Sequence, residues 1–181
     1  MPLPLSTKRL ILRAPEPADL GFFVDLFADR EAVRYIADGE PWSAERIRGQ
    51  QKRKIDCLAE RGFTLYTVVR AADGQVVGDC GLAPWENGRV EIGWRFARPY
   101  WGQGLAKEAA RAVFEHAGRD LGLTELWCLV QEPNTASWRI AEGLGFRLDH
   151  TETWHGDRTV RIYNWNAGPE RPAAAGHVRK S

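Results

Sequence analysis

Alternating and helical spacings take turns along the chain. In "RLILRAPEPADL" Leu10 and Leu12 alternate with Ile11 and Arg13, then Pro15 to Asp19 punctuates the run, which predicts a strand leading into a helix entry. From Ala18, "ADLGFFVDLFADREAVRYI" puts Leu20, Phe23, Leu26 and Phe27 on one helical face. "SAERIRGQQKRKIDCLAERG" follows with Ser43 at its start, Glu45 in its first turn and Gly62 as its stop. Both predict helices. Strand patterns then take over: "FTLYTVVRA" and "QVVGDCGLA" flank Asp73-Gly74, and "RVEIGWRF" follows Asn87-Gly88, so Phe63 to Phe96 predicts a three-stranded antiparallel meander. In its last strand Val90, Ile92, Trp94 and Phe96 share one face, and Glu91 points to the other.

A second helix–strand alternation closes the chain. Ala106, Ala109, Ala110, Val113, Phe114 and Ala117 recur at three- and four-residue steps, with Lys107, Glu108, Arg111 and Glu115 opposite, which predicts an amphipathic helix. "ELWCLVQ" reads as a strand, "NTASWRIAEGLG" as a short helix capped by Asn134 and stopped at Gly145, and "FRLDHTETW" with "TVRIYNW" as a hairpin around "HGDR". The sum is a mixed α/β (α+β) plan with one central sheet of about seven strands and about four helices. Residues 1–166 are expected to form one domain, and "AGPERPAAAGHVRKS" at 167–181 a disordered tail.

Composition removes several classes of function. The 25 basic and 24 acidic residues nearly cancel among 181, so no bulk charge points to nucleic acid or an anionic membrane as partner. Cys57, Cys80 and Cys128 are widely spaced, and His116, His150, His155 and His177 form no ligand pair, so no disulfide frame and no metal site is expected. No apolar run approaches a membrane span and the first residues lack a signal-peptide layout, so a cytoplasmic location is expected.

The front of the main helix carries the chemistry. In "RPYWGQGLAKEAARAVFEHAG", Gly102 and Gly104 lack a Cβ, so the amides from Trp101 to Ala106 can share one concavity beside a helix N-terminus, where phosphate is bound well. A P-loop would need Lys-Ser or Lys-Thr where Leu105-Ala106 stands. A dinucleotide fingerprint needs a third glycine, a later acidic residue and a preceding parallel strand. Neither motif fits.

"WGQGLA" resembles the acetyl-CoA pyrophosphate loop of the GNAT N-acetyltransferases, Gln/Arg-x-x-Gly-x-Gly/Ala, with Gly104 and Ala106 at its last two fixed positions. Trp101 stands where Gln or Arg is usual, a departure shared by the RimJ/RimL branch. "RLILRAPEPADL", "EIGW" at Glu91 to Trp94 and "NTASWRIAEGLGF" extend the resemblance in order from Leu5 to Trp165.

The resemblance implies a mostly antiparallel sheet splayed between its fourth and fifth strands, with the pantetheine arm of acetyl-CoA bonded near Trp94, Arg95 and Phe96. It also implies a pyrophosphate on Trp101, Gly102, Gln103, Gly104, Leu105 and Ala106, and the acetyl group near Asn134 and Ser137. Many relatives protonate the thiolate with a Tyr seven residues after the motif Asn, and here that position is Ala141. Ser137 is therefore the candidate thiolate partner and Glu91 the candidate base acting through water, with Asp79 and Glu132 as other acids able to draw in an amine. Trp42, Trp85 and Trp154 are candidate walls of an acceptor cleft. The reaction implied is acetyl transfer to a primary amine, as in the RimJ/RimL enzymes a protein N-terminal α-amine. The alternatives are a small amine such as an amino acid, polyamine or antibiotic, and an acyl-CoA-binding module without catalysis. A homodimer is left open.

Overall fold

In a computed structural model, residues 3–154 and 156–168 are described, and one sheet threads all the predicted strand segments. In chain order the elements are β1 (Leu5–Ser6), β2 (Leu10–Arg13), α1 (Leu20–Ala28), α2 (Arg30–Val33), α3 (Ala44–Arg61), β3 (Leu65–Arg70) and β4 (Val76–Pro84). They continue with β5 (Val90–Phe96), α4 (Leu105–Arg119), β6 (Glu125–Gln131), α5 (Thr135–Gly143), β7 (Arg147–Trp154) and β8 (Arg158–Asn166). The sheet order is β1-β2-β3-β4-β5-β6-β8-β7. Every neighbouring pair is antiparallel except β5 and β6.

The mixed, mostly antiparallel plan holds, with two adjustments. The two-residue β1 pairs with β2 and raises the strands to eight, a segment too short to show a period. The first expected helix is two, because Asp29 takes an extended backbone (φ −74°, ψ 107°) and its carboxylate caps α2, accepting from the amides of Glu31 and Ala32. That makes five helices. Other local signals act as read: Ser43 caps α3, Gly62 ends it in a left-handed conformation, and Asn134 accepts from the amide of Ser137 to start α5. The tail expected from 167 lies outside the described residues from 169 on; at its start the Ala167 amide donates to the carbonyl of Thr124.

Helix α4 covers one face of the sheet, burying Leu105, Ala109, Ala110, Val113 and Ala117 against Leu10, Val68, Ile92 and Leu126. Helices α1 and α3 lie over the other face, where two buried acids anchor them. Asp19 accepts from Arg13, from the Thr67 hydroxyl and from the Glu16 amide. Asp79, fully buried on β4, accepts from Arg95 Nε at 2.8 Å and Nη2 at 2.6 Å, and from Lys54 Nζ of α3 at 3.2 Å. Burial alone would push the Asp79 carboxyl up, and the two cations outweigh it and hold it low; burial likewise lowers Lys54. Removing one member of such a group leaves an unpaired buried charge.

Candidate active site

Strands β5 and β6 pair at Glu91 and Trp127 and then part, opening the sheet at the place expected from the sequence. Ala97 donates its amide to Val77, and the register sets Arg95 opposite Asp79, so the alternate residues Trp94 and Phe96 turn their peptide groups toward the gap. The Phe96 carbonyl is already engaged, accepting from Trp101 Nε1 at 2.6 Å. The peptide groups of Trp94 and the amide of Phe96 remain as ladder positions for an extended ligand.

Below the gap the chain turns into α4. Gly102 and Gly104 have φ of +71° and +74°, a region that side chains rarely adopt, and Gly104 is the cap residue of the helix. No side chain caps this end, so the first amides of α4, from Leu105 on, point out with the positive end of the helix dipole. Trp101 is 48% exposed at the mouth. Gln103 does not line the cleft: its side chain donates to Pro99, and its carbonyl accepts from Arg9. Arg9 also pairs with Glu108, which accepts from Thr7 as well, so the β1–β2 turn braces the first turn of α4. Arg9 escaped sequence reasoning because its partners lie about a hundred residues away.

Two cavities meet at the gap. One, of about 460 Å³, is lined by Trp94, Arg95, Phe96, Trp101, Gly102, Gly104, Leu105 and Ala106, and by Asn134 and Ser137. Its size and its row of uncapped amides suit a long anionic ligand. The second, of about 440 Å³, is lined by Glu91, Trp85, Trp154, Leu129 and Val160 among others. Trp94, Arg95, Asn134, Ser137, Tyr35 and Ile36 border both. Tyr35 and Ile36 belong to a strap after α2 that is tied down from the sheet. Gln131 Nε2 donates to the Ala37 carbonyl at 2.9 Å, and Arg158 Nη1 donates to the Arg34 carbonyl at 3.1 Å and to Gln131 Oε1 at 3.0 Å. Sequence reading missed this strap, which carries no motif and is placed by contacts from β6 and β8.

The candidate catalytic side chains fall on opposite sides of the junction. Ser137 borders both cavities, and its oxygen accepts from the Trp94 indole at 3.3 Å. An indole N–H can only donate, so the Ser137 proton is free to be given to a ligand. Glu91 lines the second cavity with no hydrogen bond to its carboxyl among the described residues, and burial raises that carboxyl to about 7, with Arg95 opposing the rise. A carboxyl so placed can take a proton near neutral pH.

The other candidates separate. Asp79 is sealed off by Arg95 and Lys54, so it cannot draw in an amine. Glu132 is exposed and pairs with Arg161 outside both cavities. Trp85 and Trp154 line the second cavity, whereas Trp42 stacks on Phe27 with ring centroids 4.2 Å apart. His116 is buried in α4 with Nδ1 2.8 Å from Asp120, and His155 lies outside the described residues.

Comparison with known proteins agrees with this geometry. Residues 9–147 match the acetyltransferase (GNAT) domain. The uncharacterised protein YkkB of Bacillus subtilis is 31% identical over 168 residues, spanning 88% of this chain and 90% of its own. An FsC-acetyl coenzyme A-N(2)-transacetylase of Aspergillus fumigatus is 32% identical over 160 residues, 83% of this chain and 66% of that protein. Among solved structures, RimL, a ribosomal L7/L12 alpha-N-protein acetyltransferase, superposes with a TM-score of 0.73 at 21% identity, covering 90% and 92% of the two chains, a likeness of fold. Glycine turn, splayed sheet and matched domain have one reading: the chain belongs to the GNAT acetyltransferase family and is an N-acetyltransferase.

Proposed function

We propose that this enzyme moves an acetyl group from acetyl-CoA to a primary amine, with a protein N-terminal α-amine as first candidate and direct attack of the amine as the mechanism. The observation that carries the reading is the meeting of two cavities at Ser137 and Trp94, one ending on the uncapped amides of α4 and the other holding Glu91. Acetyl-CoA supplies an activated thioester when bound. Gly102, Gly104, Leu105 and Ala106 would hold its pyrophosphate, and the Trp94 and Phe96 peptide groups its pantetheine arm. Arg95 lines the same cleft.

The chain's own work is then proton handling and placement. Glu91 takes the proton of the incoming ammonium, directly or through water, so that the amine is neutral at attack. Ser137, its oxygen held by Trp94, gives a hydrogen bond to the departing sulfur, and Asn134 fixes the turn that carries it. A small-molecule amine is the second reading, favoured by the similarity to the Aspergillus transacetylase. The reduced state of Cys57, Cys80 and Cys128 fits the cytoplasm, where we place the enzyme.

Calorimetric titration with acetyl-CoA tests the first half: binding that Gly104→Glu abolishes supports the loop assignment, and absence of binding by the native protein ends it. Steady-state thiol release with a panel of amines tests the second, since turnover separates an enzyme from a binding module without catalysis.

A further inference from the structure

The second cavity is unusual in what it lacks. Its charged lining residues are Glu91 and Arg95, and the Arg95 fork is already closed on Asp79 through Nε and Nη2. Two other cations of this region, Arg158 and Arg89, are not among its lining residues. Arg158 donates to Arg34 and Gln131, and the Arg89 guanidinium lies 4.0 Å over the Trp127 ring. The remaining polar side chains, Tyr35, Gln50, Gln131, Asn134 and Ser137, are neutral. A substrate carboxylate placed here would meet Glu91 with no unpaired cation in the lining to receive it, which opposes binding.

The rest of the wall is apolar and aromatic. Trp85, Trp94 and Trp154 line the space together with Leu65, Leu129 and Val160. Indole faces attract a cation and cover flat apolar groups, and about 440 Å³ is room for a body of one or two rings. A polyamine, charged along its length, would bring further ammonium groups for which the lining holds no carboxylate besides Glu91.

We infer that the acceptor is a primary amine carried on an uncharged, apolar body of aromatic size, with no carboxylate near the amine. This rests on the acetyltransferase reading above and narrows it. The same chemistry can come from a free arylalkylamine or from an aromatic first residue of a peptide, whose α-carbonyl is a neutral amide.

Thiol release measured with tryptamine, the peptide Trp-Gly-Gly, free tryptophan and spermidine separates the cases. The expected result is a kcat/KM for tryptamine or the peptide at least about tenfold above that for tryptophan and for spermidine, the cost for tryptophan of a carboxylate beside Glu91 and for spermidine of ammonium groups with no second acid to pair them. Which of the two leads identifies the source. Trp154→Leu is expected to raise the KM of the favoured amine about tenfold while leaving the acetyl-CoA KM in place, because Trp154 lines only the acceptor cavity. Trp85→Leu is the second variant, should the first fail to fold. Preference for tryptophan or spermidine, or an unchanged amine KM in a folded Trp variant, overturns the inference and leaves the acetyltransferase reading standing. Failure of the native protein to bind acetyl-CoA or to release thiol with any amine overturns both.

Discussion

Replacing Glu91 by Gln should remove activity and add stability, and the added stability should depend on pH. Burial lifts the Glu91 carboxyl from 4.5 to about 7 in the folded chain. Between these values the unfolded chain has released the proton and the folded chain still holds it, so folding weakens as pH rises through the window. Two and a half pH units at about 1.4 kcal/mol each make this loss of stability about 3–4 kcal/mol, complete above pH 7 and absent below pH 4.5. Gln has the shape of the protonated acid and never ionises. At pH 8 Glu91→Gln should therefore be more stable by about 3–4 kcal/mol, a rise in Tm of about 6–16 °C for a chain of this length. At pH 4.5 the two should coincide. In the same variant kcat/KM at pH 8 should fall about 10²–10⁴-fold, and the acid limb near pH 7 should vanish from its pH profile. Calorimetric melts at five pH values and thiol-release kinetics provide both readouts. A Tm difference that is flat with pH, or a variant less stable at pH 8, would show that the carboxyl is not held in a desolvated site and would refute the reasoning.

Three further changes probe the rest of the machinery. Ser137→Ala should lower kcat about 10–100-fold with the acetyl-CoA KM nearly constant, as expected for loss of a proton donor at the sulfur; a full rate removes Ser137 from the mechanism. Gly104→Ala forces a side chain into φ +74° and should cost about 1–2 kcal/mol, seen as a lower Tm together with weaker acetyl-CoA binding by titration. Asp79→Asn leaves Lys54 and Arg95 facing each other without their acid and should cost about 3–5 kcal/mol in chemical denaturation. A loss below about 1 kcal/mol would show that the cluster does not hold α3 to the sheet.

Local signals in the sequence marked the places where the structure is locally determined. Ser43, Gly62, Asn134 and the two glycines before α4 act within a few residues of their own position, the first and third through side-chain caps and the glycines through their backbone, and each appears in the chain as it acts in the fold. The cleft at the start of α4 was legible for the same reason, since a helix N-terminus and its turn are contiguous. The acceptor side was not. Asp79 reads as an acid available to substrate, and only the approach of Lys54 from α3 and Arg95 from β5 shows it to be sealed. Gln103 stands inside the motif yet turns its carbonyl to Arg9 and its amide to Pro99. The strap is built from Arg34 to Gly39 but fixed from Gln131 and Arg158, and no period or motif encodes a contact over such a separation.

That strap gives the two cavities a common wall. Tyr35 and Ile36 touch both cavities, so any shift one ligand imposes on them alters the space offered to the other. Linkage makes such an effect reciprocal: if acetyl-CoA changes the affinity for the amine by some factor, the amine changes that for acetyl-CoA by the same factor. Gln131 and Arg158, which hold that shared wall to the sheet, are therefore positions where a change would be felt on both sides of it.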